Sequence, residues 1–270
     1  MLSCLSDIIK SIWEWRRQVW NLALFELKKQ SRGAALGWLW FFIKPFMYIG
    51  VFWFALEIGL RAGKSMGGPP YILWLMAGMI PWFYMQSHVG GTGVDVFHKF
   101  SYLVNKIKFP LGAIPVIYSV SKLVIQLGMV VVLFAAYFVC GQGLDLYLLQ
   151  VPIIWVLMIV FFYFFSLLLS CLTAFSKDVK NAMAAFSTPI FWLSGTIFDV
   201  SAIDIEWVRN ILLFDPVTFL VQGSRACFYD KYWLWEKPDM CLAFACVFIV
   251  TVALALFVYK RTQEEISDVL

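Results

Sequence analysis

Residues 151–175 read VPIIWVLMIVFFYFFSLLLSCLTAF, an unbroken apolar run without a charged side chain. A helix of this length spans about 37 Å at about 1.5 Å per residue, enough to cross a hydrocarbon core about 30 Å thick. Lipid offers the backbone no hydrogen-bond partners, so a chain inside it must bond its own N–H and C=O groups, as a helix does. Working outward, residues 111–140 carry only Lys122, residues 33–56 only Lys44, and residues 65–94 and 240–259 no charge at all. Residues 182–198 are short for a span but also uncharged. The pattern predicts an all-α integral membrane protein with six transmembrane helices.

Composition points the same way. The chain is 62% hydrophobic and 14% charged, whereas soluble domains run near 45–50% and about 25%. Its net charge of +4 comes from Lys and Arg placed between apolar runs, with no continuous basic stripe, which argues against a nucleic-acid partner. Cys4, Cys140, Cys171, Cys227, Cys241 and Cys246 form no C-x-x-C pair, so neither a zinc site nor a disulfide framework is indicated. His88 and His98 stand in no metal-ligand spacing; His88 reads as a hydrogen-bonded packing residue and His98 as solvated or partner-facing. Ala62-Gly63-Lys64-Ser65 ends like a phosphate-binding loop, but the glycine required five positions before Gly63 is Ile58. No cofactor or metal is expected in this chain, and no cleavable signal peptide is indicated.

Residues 7–29 read as one helix with Ile9, Ile12, Trp13, Trp20, Leu24 and Leu27 on one face and Lys10, Glu14, Arg17, Asn21 and Lys28 on the other. That segregation suits a helix lying in the membrane interface. Six spans put both termini on one side, with Lys10, Arg16, Arg17, Lys28, Lys29, Arg32, Lys99, Lys106, Lys108, Lys177, Lys180, Lys260 and Arg261. The other side holds only Arg61, Lys64, Arg209, Arg225, Lys231 and Lys237, so the positive-inside rule makes both termini cytoplasmic. Between the last two spans, Asp215-Pro216 breaks an apolar stretch, which predicts a re-entrant outer hairpin. The expected organisation is an interface helix over 1–32, a six-helix membrane domain over 33–262 and a cytoplasmic tail over 263–270.

Five stretches, in order along nearly the whole chain, carry a family resemblance. They are Leu36-Gly37-Trp38-Leu39-Trp40 through Lys44-Pro45; Gly78-Met79-Ile80-Pro81-Trp82; Asn105-Lys106-Ile107-Lys108-Phe109-Pro110; Asp215-Pro216 with Gly223-Ser224-Arg225; and the ending Ile266-Ser267-Asp268-Val269-Leu270. On these the chain resembles the membrane subunits of ABC-2 type polysaccharide exporters, the permeases of O-antigen, capsule and wall teichoic acid. It departs from them at Lys44, where relatives usually carry a neutral polar residue, and at Lys177-Asp178, where an Arg-Asp pair is commoner.

The resemblance implies a bacterial inner-membrane homodimer served by two copies of a cytoplasmic ATPase that binds ATP and Mg, carrying a polyprenyl-pyrophosphate-linked glycan. Sugars stack their C–H faces on rings, so Trp38, Phe41, Tyr48 and Phe52 on one face of the first helix are candidate channel residues, with Phe191 and Trp192 opposite. Lipid contact and interfacial anchoring are the competing use of such rings. Lys44 either meets the pyrophosphate or snorkels to the interface. Phe97, Lys99, Phe100, Tyr102, Asn105, Lys106 and Lys108 form the candidate ATPase-coupling segment; Leu36 and Gly37 a gate; Asp215, Pro216 and Arg225 the outer hairpin. Two other readings stand beside this one: an ABC-2 exporter of a small molecule, and a membrane glycan or lipid transferase using Asp199, Asp204 and Glu206.

Overall fold

The computed structural model describes residues 2–60, 68–107 and 109–269, with Leu2, Lys106, Ser267 and Asp268 described by their backbone alone. Arg61, Lys64 and the phosphate-loop look-alike at 62–65 lie outside the described residues, as do Lys108 and Leu270. Among the described residues there is no β-strand. Four helical segments are long and apolar enough to cross a membrane: Gly37–Gly59, Leu111–Val139, Leu146–Phe175 and Pro238–Ile266. Their principal α-helices are α3 (Trp40–Trp53), α7 (Ile114–Val139), α8 (Val151–Phe175) and α12 (Pro238–Val269), the last running unbroken into the expected tail. Within α8's apolar stretch 61% is buried inside the chain, against 6% for Gly37–Gly59, so α8 is the axis and α3 lies at the rim.

The second and fifth predicted spans correspond to α4 (Tyr71–Val89) and α9 (Lys177–Leu193). Neither is as uniformly apolar or as long. Gln86, His88 and several Trp and Tyr dilute α4, whereas α9 has 17 residues and begins with Lys177, Asp178 and Lys180. Polar groups are tolerated in α4 because nearly the whole helix is buried against α3, α7, α8, α9 and a further helix, α11 (Pro216–Arg225). The preceding α10 (Glu206–Leu213) meets α11 at 91°. Asp215 caps α11, its Oδ1 accepting from Val217 N at 3.0 Å and its Oδ2 from Thr218 Oγ1 at 3.1 Å, with Pro216 at the first helical position. The expected Asp-Pro break is therefore present, and α11 is buried in protein.

Arg225, counted above among the outer cations, is fully buried. Its guanidinium lies 3.4 Å over the Trp74 ring and donates to Gly195 O at 2.5 Å, Thr196 O at 2.6 Å and Trp74 O at 3.4 Å. Gly78 makes this possible: a Cβ there would stand 2.5 Å from Arg225 Nη2 and 3.0 Å from Thr196 O. Two of the stretches that carry the resemblance thus meet at one contact.

A second core lies at the other end of the bundle. The N-terminal segment, expected as one helix, breaks at Trp15 into α1 (Leu2–Glu14) and α2 (Arg16–Ser31). Cys4, Ile8, Val19 and Ala23 pack inward, while Ile9, Trp13 and Trp20 remain exposed as an apolar outer face. This core takes in α5 (Val96–Lys99), α6 (Ser101–Ile107) and the end of α12, where Ile266 is fully buried. Gly112 anchors it: its N–H donates to Tyr259 Oη at 3.1 Å and its carbonyl accepts from Tyr163 Oη at 2.8 Å. Gly90 and Gly91 end α4, and both lie too close to Ser187 and Ser87 to carry a side chain, so they serve close packing.

Gly78→Ala is expected to destabilise the detergent-solubilised protein by about 1–3 kcal/mol through overpacking against Arg225. Gly50→Ala, with nothing within 4 Å of the added Cβ, is expected to be neutral. Thermal unfolding of the two variants side by side checks the contrast.

Candidate functional site: an amphipathic groove between three helices

Between α3, α4 and α7 lies a groove of about 390 Å³. Trp40, Phe41, Lys44, Pro45 and Tyr48 line it from α3, Phe83, Tyr84, Gln86 and Ser87 from α4, and Lys122, Ile125, Gln126 and Met129 from α7. Gly128 lets α3 come this close, because a Cβ there would stand 2.7 Å from the Phe42 ring. Gln126 Nε2 donates to Ile80 O at 2.7 Å, beside Pro81, which interrupts the α4 hydrogen-bond ladder. The groove is apolar along its length and carries two ammonium groups. Neither Lys44 nor Lys122 makes an ion pair among the described residues; Lys44 Nζ sits 5.9 Å from the Trp40 ring centre.

The ring cluster adjoins this groove. Tyr48 stands 5.1 Å from Phe52 and 6.3 Å from Phe83, and Phe52 stands 5.5 Å from Phe191 and 6.2 Å from Trp192, centre to centre. The structure thus brings Tyr48 and Phe52 of α3 against Phe191 and Trp192 of α9, with Phe41 and Lys44 in the neighbouring groove. Trp38 stands apart, exposed and 6.0 Å from Phe42. Sequence reasoning did not single out Lys122, Gln86 or Gln126 as site residues. The signal for Lys122 was present: it is the one charge in residues 111–140.

The candidate ATPase-coupling segment divides by burial. Phe97 and Phe100 point into the second core, whereas Tyr102 and Asn105 are exposed. Lys99 forms an ion pair with Glu26 of α2, and Gln30 Nε2 donates to Glu26 Oε1 at 2.8 Å. Burial pushes the Glu26 carboxyl up, but Lys99 and Gln30 outweigh it and hold the group below the usual carboxylate range. Asp95 bonds His98 Nδ1 at 2.6 Å and Lys180 of α9 at 2.9 Å, while the His98 ring stays partly exposed. The side chain of Lys106 and all of Lys108 lie outside the described residues. Leu36 is exposed and Gly37 turns the chain into α3 with φ +49°.

His88 is buried, its Nε2 3.1 Å from Ser119 Oγ and its Nδ1 3.0 Å from both Ser87 Oγ and Tyr84 O, a packing residue held by hydrogen bonds. Asp199 accepts from Ser201 N at 2.8 Å, the bond of a turn, and Asp204 and Glu206 are exposed. Among the described residues no group of three or more His, Cys, Asp or Glu is placed to hold a metal ion.

Comparison with known proteins follows this geometry. Three relatives are O-antigen export system permease proteins RfbA. One, from Myxococcus xanthus, is 24% identical across 95% of this chain and 97% of its own length. Two from Klebsiella pneumoniae are 22% identical, across 91% of this chain and 92% of the relative in one case, and 86% and 87% in the other. The family model of the ABC-2 type transporter matches residues 17–229, a range that runs from α2 through the groove and the candidate coupling segment to the turn after Arg225. This chain belongs to the ABC-2 type transporter family.

Proposed function

We propose that this chain is the membrane subunit of an ATP-driven exporter that moves a polyprenyl-diphosphate-linked polysaccharide of the O-antigen type across the bacterial cytoplasmic membrane. The observation that carries this reading is the pairing of two lysines with an aromatic-lined groove, in a chain whose O-antigen permease relatives match it almost end to end. The lysines suit a diphosphate and the rings suit sugar faces. α4, α9 and the α10–α11 hairpin complete a topology of six spans with a re-entrant outer element and both termini cytoplasmic. Energy comes from a separate ATPase, which binds ATP and Mg and docks at the exposed face of Tyr102 and Asn105.

Tyr48, Val51, Phe54, Phe186 and Trp192 are exposed on α3, α9 and the turn after α3, and these faces suit pairing with a second copy. Two permeases and two ATPases make the working assembly. A small-molecule exporter has less use for an extended ring surface.

Three measurements test this reading. The chain is expected to copurify with its ATPase, whose activity rises on adding the lipid-linked glycan; an assembly indifferent to glycan would sink the substrate assignment. In reconstituted vesicles, Lys44→Ala is expected to slow glycan export on the order of tenfold, the loss of one charge-assisted bond. Export at the wild-type rate would remove Lys44 from the path. Finally, a membrane-impermeant thiol reagent applied to intact spheroplasts is expected to label a cysteine placed at Glu236 and to spare one at Asn105. The reverse pattern would invert the topology.

A further inference from the structure

Lys122 belongs to two arrangements at once. It lines the groove, and its Nζ also donates to Gln30 Oε1 of α2 at 3.2 Å. Gln30 in turn holds Glu26 at 2.8 Å, and Glu26 is paired with Lys99 of α5. Tyr118 lies between the two ammonium groups, its ring centre 5.4 Å from Lys122 Nζ and 5.2 Å from Lys99 Nζ, and its hydroxyl donates to Ser87 O in the groove wall at 3.1 Å. A continuous polar path therefore runs from the groove, through the interface helix, to the segment before the exposed Tyr102 and Asn105. Glu26 is 5% exposed, an expensive place for a carboxylate. Its partners come from α2 itself and from α5, so its environment depends on how α2 is seated.

A phosphate oxygen is a far stronger acceptor for an ammonium than a side-chain amide is, because both partners are charged. A headgroup in the groove competes with Gln30 for Lys122. Gln30 then loses its anchor on α7, and α2 stays tied to the bundle through Glu26 and Lys99.

We infer that Lys122, Gln30, Glu26 and Lys99 form a relay through which a diphosphate headgroup in the groove shifts α2 and, with it, α5 and the ATPase-facing α6 that follows it. Hydrolysis is thereby favoured on a loaded transporter. The inference rests on the reading of the groove as a headgroup site. Coupling of this kind is reciprocal, so ATPase docking also alters the affinity for the headgroup. Gln30 acts as a positioning residue, and Lys122 touches the ligand.

The test uses the permease with its ATPase in phosphatidylcholine vesicles, with a glycan-free polyprenyl diphosphate as the probe. Phosphatidylglycerol and inorganic diphosphate serve as separate arms. Wild type is expected to show several-fold stimulation by the polyprenyl diphosphate. Gln30→Leu, at an exposed residue, releases the Lys122 anchor without a ligand and is expected to raise basal hydrolysis toward the stimulated level and to lower the half-saturating probe concentration, while losing most of the further stimulation. Lys122→Gln is expected to raise the half-saturating concentration about tenfold. Glu26→Ala and Lys99→Ala are expected to be non-additive in maximal stimulation. Full stimulation of Gln30→Leu overturns the relay and leaves the groove reading standing. Unchanged half-saturation in both Lys122→Gln and Lys44→Gln overturns the groove reading itself. Equal stimulation by phosphatidylglycerol or inorganic diphosphate overturns the assignment to a polyprenyl-borne diphosphate.

Discussion

A cation buried without a counter-ion is the constraint on which the bundle depends. Among the described residues Arg225 forms no ion pair; three backbone carbonyls and the Trp74 ring meet its guanidinium. Removing a guanidinium from water is costly unless each donor finds an acceptor. The acceptors at Gly195 and Thr196 lie just past the end of α9, where Gly195 turns the chain with φ +70°. The space is supplied by Gly78 in the middle of α4. The end of α9, the glycine of α4 and the last turn of α11 must therefore arrive together, and this contact sets how the outer half assembles.

The same economy of charge organises the two ends. On the predicted outer side Lys231 bonds Asp145 at 2.5 Å and Tyr137 at 2.7 Å, joining the loop after α7 to the turn after α11. On the predicted cytoplasmic side Glu26 with Lys99, and Asp95 with His98 and Lys180, join the interface helix, α5 and α9. Lys44 and Lys122 are charges in apolar helices that no carboxylate neutralises among the described residues, and they share one groove. Charge of this kind inside a membrane bundle is costly, and the proposed headgroup site rests on it.

Much of this was legible in the residues. The apolar runs located α3, α7, α8 and α12, and Asp215-Pro216 located the break before α11. Of the rings read onto one face of the first helix, Tyr48 and Phe52 meet Phe191 and Trp192, whereas Trp38 stands apart. Other features were not legible. The outer cation count included Arg225, which is buried. His98 was read as solvated or partner-facing, and its bond to Asp95 was not foreseen. The long N-terminal helix breaks at Trp15, and Ile8, Val19 and Ala23 pack inward on a side the reading did not name, while Trp13 and Trp20 of the face expected at the membrane interface stay exposed. In a protein surrounded by lipid, apolar residues suit both the core and the outer surface, so periodicity alone does not say which face points inward.

By itself, the sequence determined that the chain is helical and membrane-embedded, because apolar length and backbone hydrogen bonding leave lipid no other ordinary solution. Ordered motifs also determined the family. Only the tertiary structure decided which polar residues share a site. Lys44 and Lys122 are 78 positions apart (122 − 44), as are Gln30 and Lys122 by 92. Their meeting depends on how α2, α3 and α7 pack, and that packing follows from small residues such as Gly128 and from buried hydrogen bonds that no local pattern encodes.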